Sequence, residues 1–284
     1  MKLKLVKLIP IPLALLAISL FGIYKVYSKT GELFIKDIDL KGGTSLTLTF
    51  NKTIKNEEIE PIIKKRIEKF IVSSSKTSEG YTTINILAEE SINASEIVEI
   101  LNYNGLYPIE HSIHFVGPEL GSAFFSQVIT LLTAAYILLF IINFYIYKRL
   151  SIATTIIISS LANIIAVFGI MDLFNQKISF AGFSSMLILI AFAIDVNILL
   201  VTKILSSKET EFYEQYKKAL ITGLTINFSL VVSMLIVLFL SNNTLLTNIA
   251  QIQIIGFIAD IVNTWILNAA LIEVVVFGKF NKRH

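Results

Sequence analysis

Two carboxylates sit where a carboxylate is costly. Asp195 interrupts the apolar run from Ser184 to Leu200, and Asp260 interrupts the run from Gln253 to Ala269. An acid inside a stretch long enough to cross a bilayer normally has a partner and a role. A carboxyl group can take up and release a proton there, which makes Asp195 and Asp260 proton-relay candidates. The plainer reading makes both of them hydrogen-bonded packing residues, with Asp260 fixing a subunit seam. At about 100° per residue, Ser184, Ile188, Ala191, Asp195 and Thr202 share one helix face. Small and polar side chains on one face suit a helix–helix seam. Asn197 points nearly the opposite way. Gln253, Gly256, Asp260, Asn263 and Thr264 form a second stripe, and Thr222, Thr225, Ser229 and Ser233 a third. The three stripes could meet around one hydrogen-bonded core. Asn197, Asn263 and Asn268 read as packing or interface hydrogen-bonders, and Trp265 as a packing or interfacial aromatic.

Other chemistry is sparse. The chain has no cysteine, which excludes disulfides, Cys-ligated zinc and cysteine nucleophiles. The histidines are His111, His114 and His284. With no further ligands nearby, His111 and His114 read as strand residues rather than a metal pair. No metal, cofactor or enzymatic activity is expected, and no ATP-binding motif is present. The run Asp39-Leu40-Lys41-Gly42-Gly43-Thr44 carries paired glycines that suit a tight turn; a phosphate cradle would need a helix N-terminus and a Lys-Ser/Thr that are missing. Val116-Gly117-Pro118-Glu119-Leu120-Gly121 should break a strand and lead into a helix.

The elements that must position these residues are membrane helices. Of 284 residues, 54% are hydrophobic and 16% charged, and the mean hydropathy is +0.72. That composition belongs to a polytopic membrane protein. Six stretches reach the roughly 20 apolar residues a span needs: about 8–27, 123–147, 151–171, 179–203, 220–240 and 249–277. Lys2, Lys4, Lys7, Lys148, Arg149, Lys203, Lys208, Lys217, Lys218, Lys279, Lys282 and Arg283 fall on one side, and Lys177 alone in the short loops opposite. The positive-inside rule therefore expects both termini in the cytoplasm. The net charge of +3 divides unevenly: residues 25–122 carry 11 basic against 14 acidic side chains. Nothing in this distribution suits nucleic acid.

Residues 30–116 read as an α/β module. Thr44–Phe50 alternates like a half-buried strand, and Glu57–Phe70 has helical spacing through Ile59, Ile62, Ile63, Ile67 and Phe70. Phe70–Ser75 and Tyr81–Leu87 are expected strands joined by a turn at Ser78-Glu79-Gly80. Ala94–Leu101 is an expected helix with Asn93 as N-cap, and Ile109–Phe115 a last strand. The order β-α-β-β-α-β predicts a ferredoxin-like α+β fold. Residues 206–218 are expected to form a weakly amphipathic, surface-lying cytoplasmic helix. The expected organisation is a cytoplasmic N-terminus and first helix (1–28), an extracytoplasmic domain (29–122), helices two to six (123–278) and a basic cytoplasmic tail (279–284).

This arrangement resembles the SecF family of the SecD–SecF protein-export complex, within the RND superfamily. The likeness covers nearly the whole chain: one helix, an insert opening with Asp39-x-x-Gly42-Gly43, the Val-Gly-Pro-x-x-Gly motif with Gly117, Pro118 and Gly121, then five helices. The run Gly256–Ala269 is similar to archaeal rather than bacterial members. Bacterial SecF typically shows Asn-Asp where this chain has Asp195-Val196, and an acid-Arg pair where it has Thr202-Lys203. Asp195-Val196-Asn197 is closer to the Asp-x-Asn of the SecD half. The resemblance implies a multi-pass protein of the cytoplasmic membrane and a SecD-like partner. It also implies association with the Sec translocon channel, unfolded secretory polypeptide as client, surrounding membrane lipid and use of the proton gradient. Competing readings are an RND-like transporter half for lipid or small hydrophobic molecules, and a non-transporting assembly scaffold.

Overall fold

The computed structural model describes residues 4–54, 56–67, 70–76, 81–88, 93–206, 211–241 and 243–277. The expected turn at Ser78-Glu79-Gly80 and the basic tail 279–284 lie outside the described residues. Two compact units divide the chain: residues 36–128, and residues 1–35 together with 129–284.

The smaller unit is built on a four-stranded sheet. Its elements are α2 (Ile38–Lys41), β1 (Gly43–Phe50), α3 (Asn56–Ile63), β2 (Phe70–Lys76), β3 (Thr82–Ala88), α4 (Ala94–Tyr103) and β4 (Glu110–Val116). The strand order is β2-β3-β1-β4, with every neighbouring pair antiparallel. Alternation along β1 buries Leu46, Leu48 and Phe50. They pack with Ile84 and Ile86 of β3, Ile59 and Ile63 of α3, and Ile97 and Leu101 of α4. Asn93 caps α4 as its type predicts, its Oδ1 accepting from the Ser95 N–H at 3.1 Å.

One helix is shorter than its periodicity suggests. Spacing carries the pattern to Phe70, but α3 ends at Ile63. Pro61 removes a backbone donor inside it, and Phe70 is taken into the sheet opposite Ala88. Ile67 remains buried in the core from the following turn.

The two glycine motifs meet in this unit. Gly42 and Gly43 have φ of 85° and 140°, in the region that favours glycine. A β-carbon on Gly121 would lie 2.6 Å from the Gly42 nitrogen. Gly43 also pairs with Val116 across the β1–β4 ladder. The Asp-x-x-Gly-Gly turn and the Val-Gly-Pro-x-x-Gly motif are thus halves of one junction. Asp39 Oδ1 stands 3.6 Å from His114 Nε2 beside it.

The larger unit is helical. Among the described residues, six helices are long and apolar enough to cross a membrane. They are α1 (Pro10–Thr30), α5 (Pro118–Tyr147, whose first turns belong to the smaller unit), α6 (Leu150–Leu173), α7 (Phe180–Leu205), α8 (Phe212–Leu240), and α9 (Thr244–Val262), which continues through a π-helical turn (Asn263–Asn268) into α10 (Ala269–Phe277). α1 starts on prolines tolerated in a first turn and ends at Gly31, whose N–H reaches the Tyr27 carbonyl at 2.9 Å. Its partner is α6. A β-carbon on Gly22 would lie 2.1 Å from the Gly169 carbonyl oxygen, so only glycine admits this backbone approach. α6, α7 and α9 pack together as the interior of the unit.

Of the segment 206–218 expected to lie on the membrane surface, residues 207–210 lie outside the described residues, and Phe212 to Lys218 belong to the long helix α8. α8 starts at Phe212 and runs without a break into the span. Buried Phe212 holds its first turn, and the hydroxyls of Tyr213 and Tyr216 bond to Glu273 and to the Trp265 carbonyl. These inward contacts outweigh the weak amphipathicity that suggested a surface helix.

Candidate functional site

The centre of the helical unit is polar, and α9 with the π-helical turn that follows it supplies most of it. Spacing of three and four residues puts Gln253, Asp260, Asn263 and Thr264 on one side of the helix, and all four are buried. Asp260 Oδ1 accepts from Asn163 Nδ2 at 2.8 Å and Thr264 Oγ1 at 2.7 Å. Its Oδ2 accepts from Asn227 Nδ2 at 3.0 Å. Asn263 Nδ2 closes the ring onto Asn163 Oδ1 at 2.7 Å. Three spans, α6, α8 and α9, are therefore joined at one carboxylate. The π-helical turn that follows carries Asn268 to α7, where its Nδ2 donates to Asn197 Oδ1. Asn197 in turn donates to the Ala193 carbonyl at 2.7 Å. Gln253 Nε2 reaches the Ser185 carbonyl at 2.8 Å.

The structure separates the two acids. Asp260 is 1% exposed, whereas Asp195 lies on an exposed face of α7 with Ser184, Ile188 and Ala191. No hydrogen bond or ion pair from a described residue reaches Asp195. Ser184 bonds only back to Phe180 O, at 3.1 Å. Thr202, at the end of that face, meets the Tyr147 hydroxyl at 3.0 Å. The three stripes therefore do not share one core. The α9 stripe is buried, the α7 stripe faces out, and so does the α8 stripe. Thr222, Thr225, Ser229 and Ser233 each donate to the carbonyl four residues back. A hydroxyl can satisfy itself on its own helix in this way, so a Ser/Thr stripe says little about which face turns inward.

Three participants were not singled out from sequence. Asn163 and Asn227 are amides inside apolar runs, and that cost was their signal. Glu273 is a third intramembrane acid, in Leu271-Ile272-Glu273-Val274. It is buried, and it accepts from the backbone N–H groups of Lys4, Leu5 and Val6 at 2.9, 2.9 and 3.2 Å and from the Tyr213 hydroxyl. Trp265 is 2% exposed and packs inside the unit rather than at an interface. Among the described residues, no group of three or more His, Asp or Glu side chains is placed to hold a metal.

Relatives decide the family. Residues 101–277 match the family model "Protein export membrane protein SecD/SecF, C-terminal". The protein-export membrane protein SecF of Methanocaldococcus jannaschii is 30% identical, with 93% of each chain covered. The chain belongs to the SecF family of protein-export membrane proteins. The SecF protein of Pyrococcus furiosus is 27% identical over 97% of this chain and 93% of its own. In fold, this SecF-family chain is similar to the crystal structure of SecDF, a translocon-associated membrane protein, from Thermus thermophilus. The TM-score is 0.73 at 14% identity, covering 95% of this chain and 37% of that longer one. The chain is thus a multi-pass helical membrane protein with archaeal relatives along its length.

Proposed function

We propose that this chain is the SecF-type subunit of a protein-export complex, working with a SecD-type partner on unfolded secretory polypeptide and drawing on the proton gradient. Asp195 carries the argument for a partner. It sits midway along a membrane helix, exposed on this chain and without a bond from any described residue. A carboxylate so placed needs a second surface to shield and pair it. The small and polar residues around it favour another helix over lipid. The likeness to SecDF, a chain more than twice as long, supports a fold completed by a second half. Asp195 is assigned to proton coupling at that seam. The chain is assigned no enzymatic activity.

The rest of the reading follows the same lines. Both termini face the cytoplasm and residues 29–122 the other side, supported by the one-sided distribution of Lys and Arg. The insert is a ferredoxin-like module, supported by its β-α-β-β-α-β order and its β2-β3-β1-β4 antiparallel sheet. The Sec translocon channel and bilayer lipid complete the set of partners.

Secretion of a reporter protein in cells carrying Asp195→Asn tests this reading, with membrane levels of both subunits followed alongside. Lost secretion with an intact complex is the expected result. Normal secretion would reduce Asp195 to packing and leave a scaffold role.

A further inference from the structure

Among the described residues, no basic side chain pairs with Asp260. Its three partners, Asn163, Asn227 and Thr264, are all neutral. Ionisable groups on the surrounding helices stand at a distance. On α6, Asp172 is nine residues from Asn163, and on α8, Lys218 is nine residues from Asn227; each is about 13 Å along the helix axis. Glu214, Lys217 and the tyrosines Tyr213 and Tyr216 are farther along α8, with Tyr216 bonded to the Trp265 carbonyl. On α7, Asp195 and Lys203 are exposed. On α1, Tyr24, Lys25, Tyr27 and Lys29 cluster at the C-terminal end. Glu273 of α10 is engaged by Tyr213 and the N-terminal segment.

The surrounding side chains can serve either form of the acid. Amide N–H groups donate to a carboxylate, and turning the same amide end for end presents its carbonyl oxygen to a protonated acid. Asn227 is the pivot, because its Nδ2 makes the contact recorded at Asp260 Oδ2. Polar atoms flank the site along the interior. Ser159 Oγ, Gln253 Oε1, Trp265 Nε1 and Asn268 Oδ1 are buried without a hydrogen-bond partner. Buried polar atoms of this kind are normally satisfied by water. On α9 and its extension they fall on both sides of Asp260, where water can relay a proton.

We propose that Asp260 is an internal proton-binding site, served through the bundle interior and distinct from Asp195 on the outer face of α7. A proton adds to Oδ2, forming one O–H bond and cancelling the carboxylate charge, and the Asn227 amide turns to accept from it. Release reverses both events. Because Asn227 also fastens α8 to α9, proton occupancy is felt in the contact between those two spans. The inference rests on the gradient-driven reading above.

Infrared difference spectra of the full chain in lipid, between acidic and alkaline buffer, test it. A buried carboxylic-acid C=O band is expected on acidification, retained in Asp195→Asn and lost in Asp260→Asn. Asn227→Leu and Thr264→Val keep the carboxyl group and should shift the frequency of the band, which guards against misfolding of the first variant. A band that persists unchanged in Asp260→Asn overturns the proposal. So does a response at constant pH to added sodium chloride, which would mark a metal-cation site. Reporter secretion is read separately: a lost band with normal secretion keeps the proton site and removes its link to export.

Discussion

Asn227 on α8 donates to Asp260 on α9 across 3.0 Å, at the point where α6 reaches the same carboxylate through Asn163. One acid therefore ties together three membrane helices, and two of those contacts are amide-to-carboxylate. Such bonds are short-range and directional, so they specify how the helices register as well as how tightly they hold.

Removing one donor should expose this coupling. Asn227→Ala leaves Oδ2 short of a partner and should lower unfolding stability by about 1–2 kcal/mol. Paired with Asp260→Asn in a double-mutant cycle, the two changes should be clearly non-additive. Additive losses in detergent unfolding would mean that the contact contributes nothing of its own.

The two faces of α7 should behave differently. Spin labels at Ser184 and Asp195 should be accessible to lipid-soluble quenchers in the isolated chain and protected once a SecD-type partner is added. Asn197 faces Asn268 inside the unit, so a label there should disrupt folding or stay protected throughout. Equal accessibility of Ser184 with and without partner would remove this face as the seam.

Bulk at the α1–α6 crossing should be poorly tolerated. Gly169 lies where a β-carbon would come 2.1 Å from the Ser19 carbonyl oxygen. Gly169→Val must push the two backbones apart and should cost more than about 2 kcal/mol, at the overpacking end of core substitutions. Cysteine cross-linking between α1 and α6 should fall in step with it. Wild-type cross-linking in the variant would show that the helices do not cross this closely.

The N-terminal segment should depend on Glu273. Glu273→Ala removes the acceptor of three backbone N–H groups, and hydrogen exchange at Lys4, Leu5 and Val6 should accelerate at least tenfold. That factor corresponds to about 1.4 kcal/mol of protection, within the range for an intramolecular hydrogen bond. Tyr213→Phe removes one donor and should produce a smaller acceleration. Unchanged exchange would place the anchor elsewhere.

Much of this architecture is readable from residue order. The six spans follow from hydropathy, because a helix must satisfy its own backbone in lipid. The alternation of Leu46, Leu48 and Phe50 marks β1 and its buried face, and Asn93 marks the start of α4. The site was harder to read. Periodicity groups residues onto one face of a helix without saying which face turns inward. Ser184 and Asp195 share a face that is exposed here, while Thr222 and Ser229 look like seam residues yet bond only to their own helix. The α9 stripe was legible because its amides and acid are too costly to leave unsatisfied. Asn163, Asn227 and Glu273 carried the same signal singly, where no stripe drew attention to them. α3 fell short of its pattern because Phe70 pairs with Ala88 in the sheet and cannot also extend a helix.

The hold of Glu273 on Lys4, Leu5 and Val6 has a bearing on biosynthesis. The ribosome makes those amides first and their acceptor some 270 residues later. Until Glu273 is made the early segment lacks this acceptor, and a chain truncated before it never acquires it. The contact therefore forms only once translation has passed Glu273.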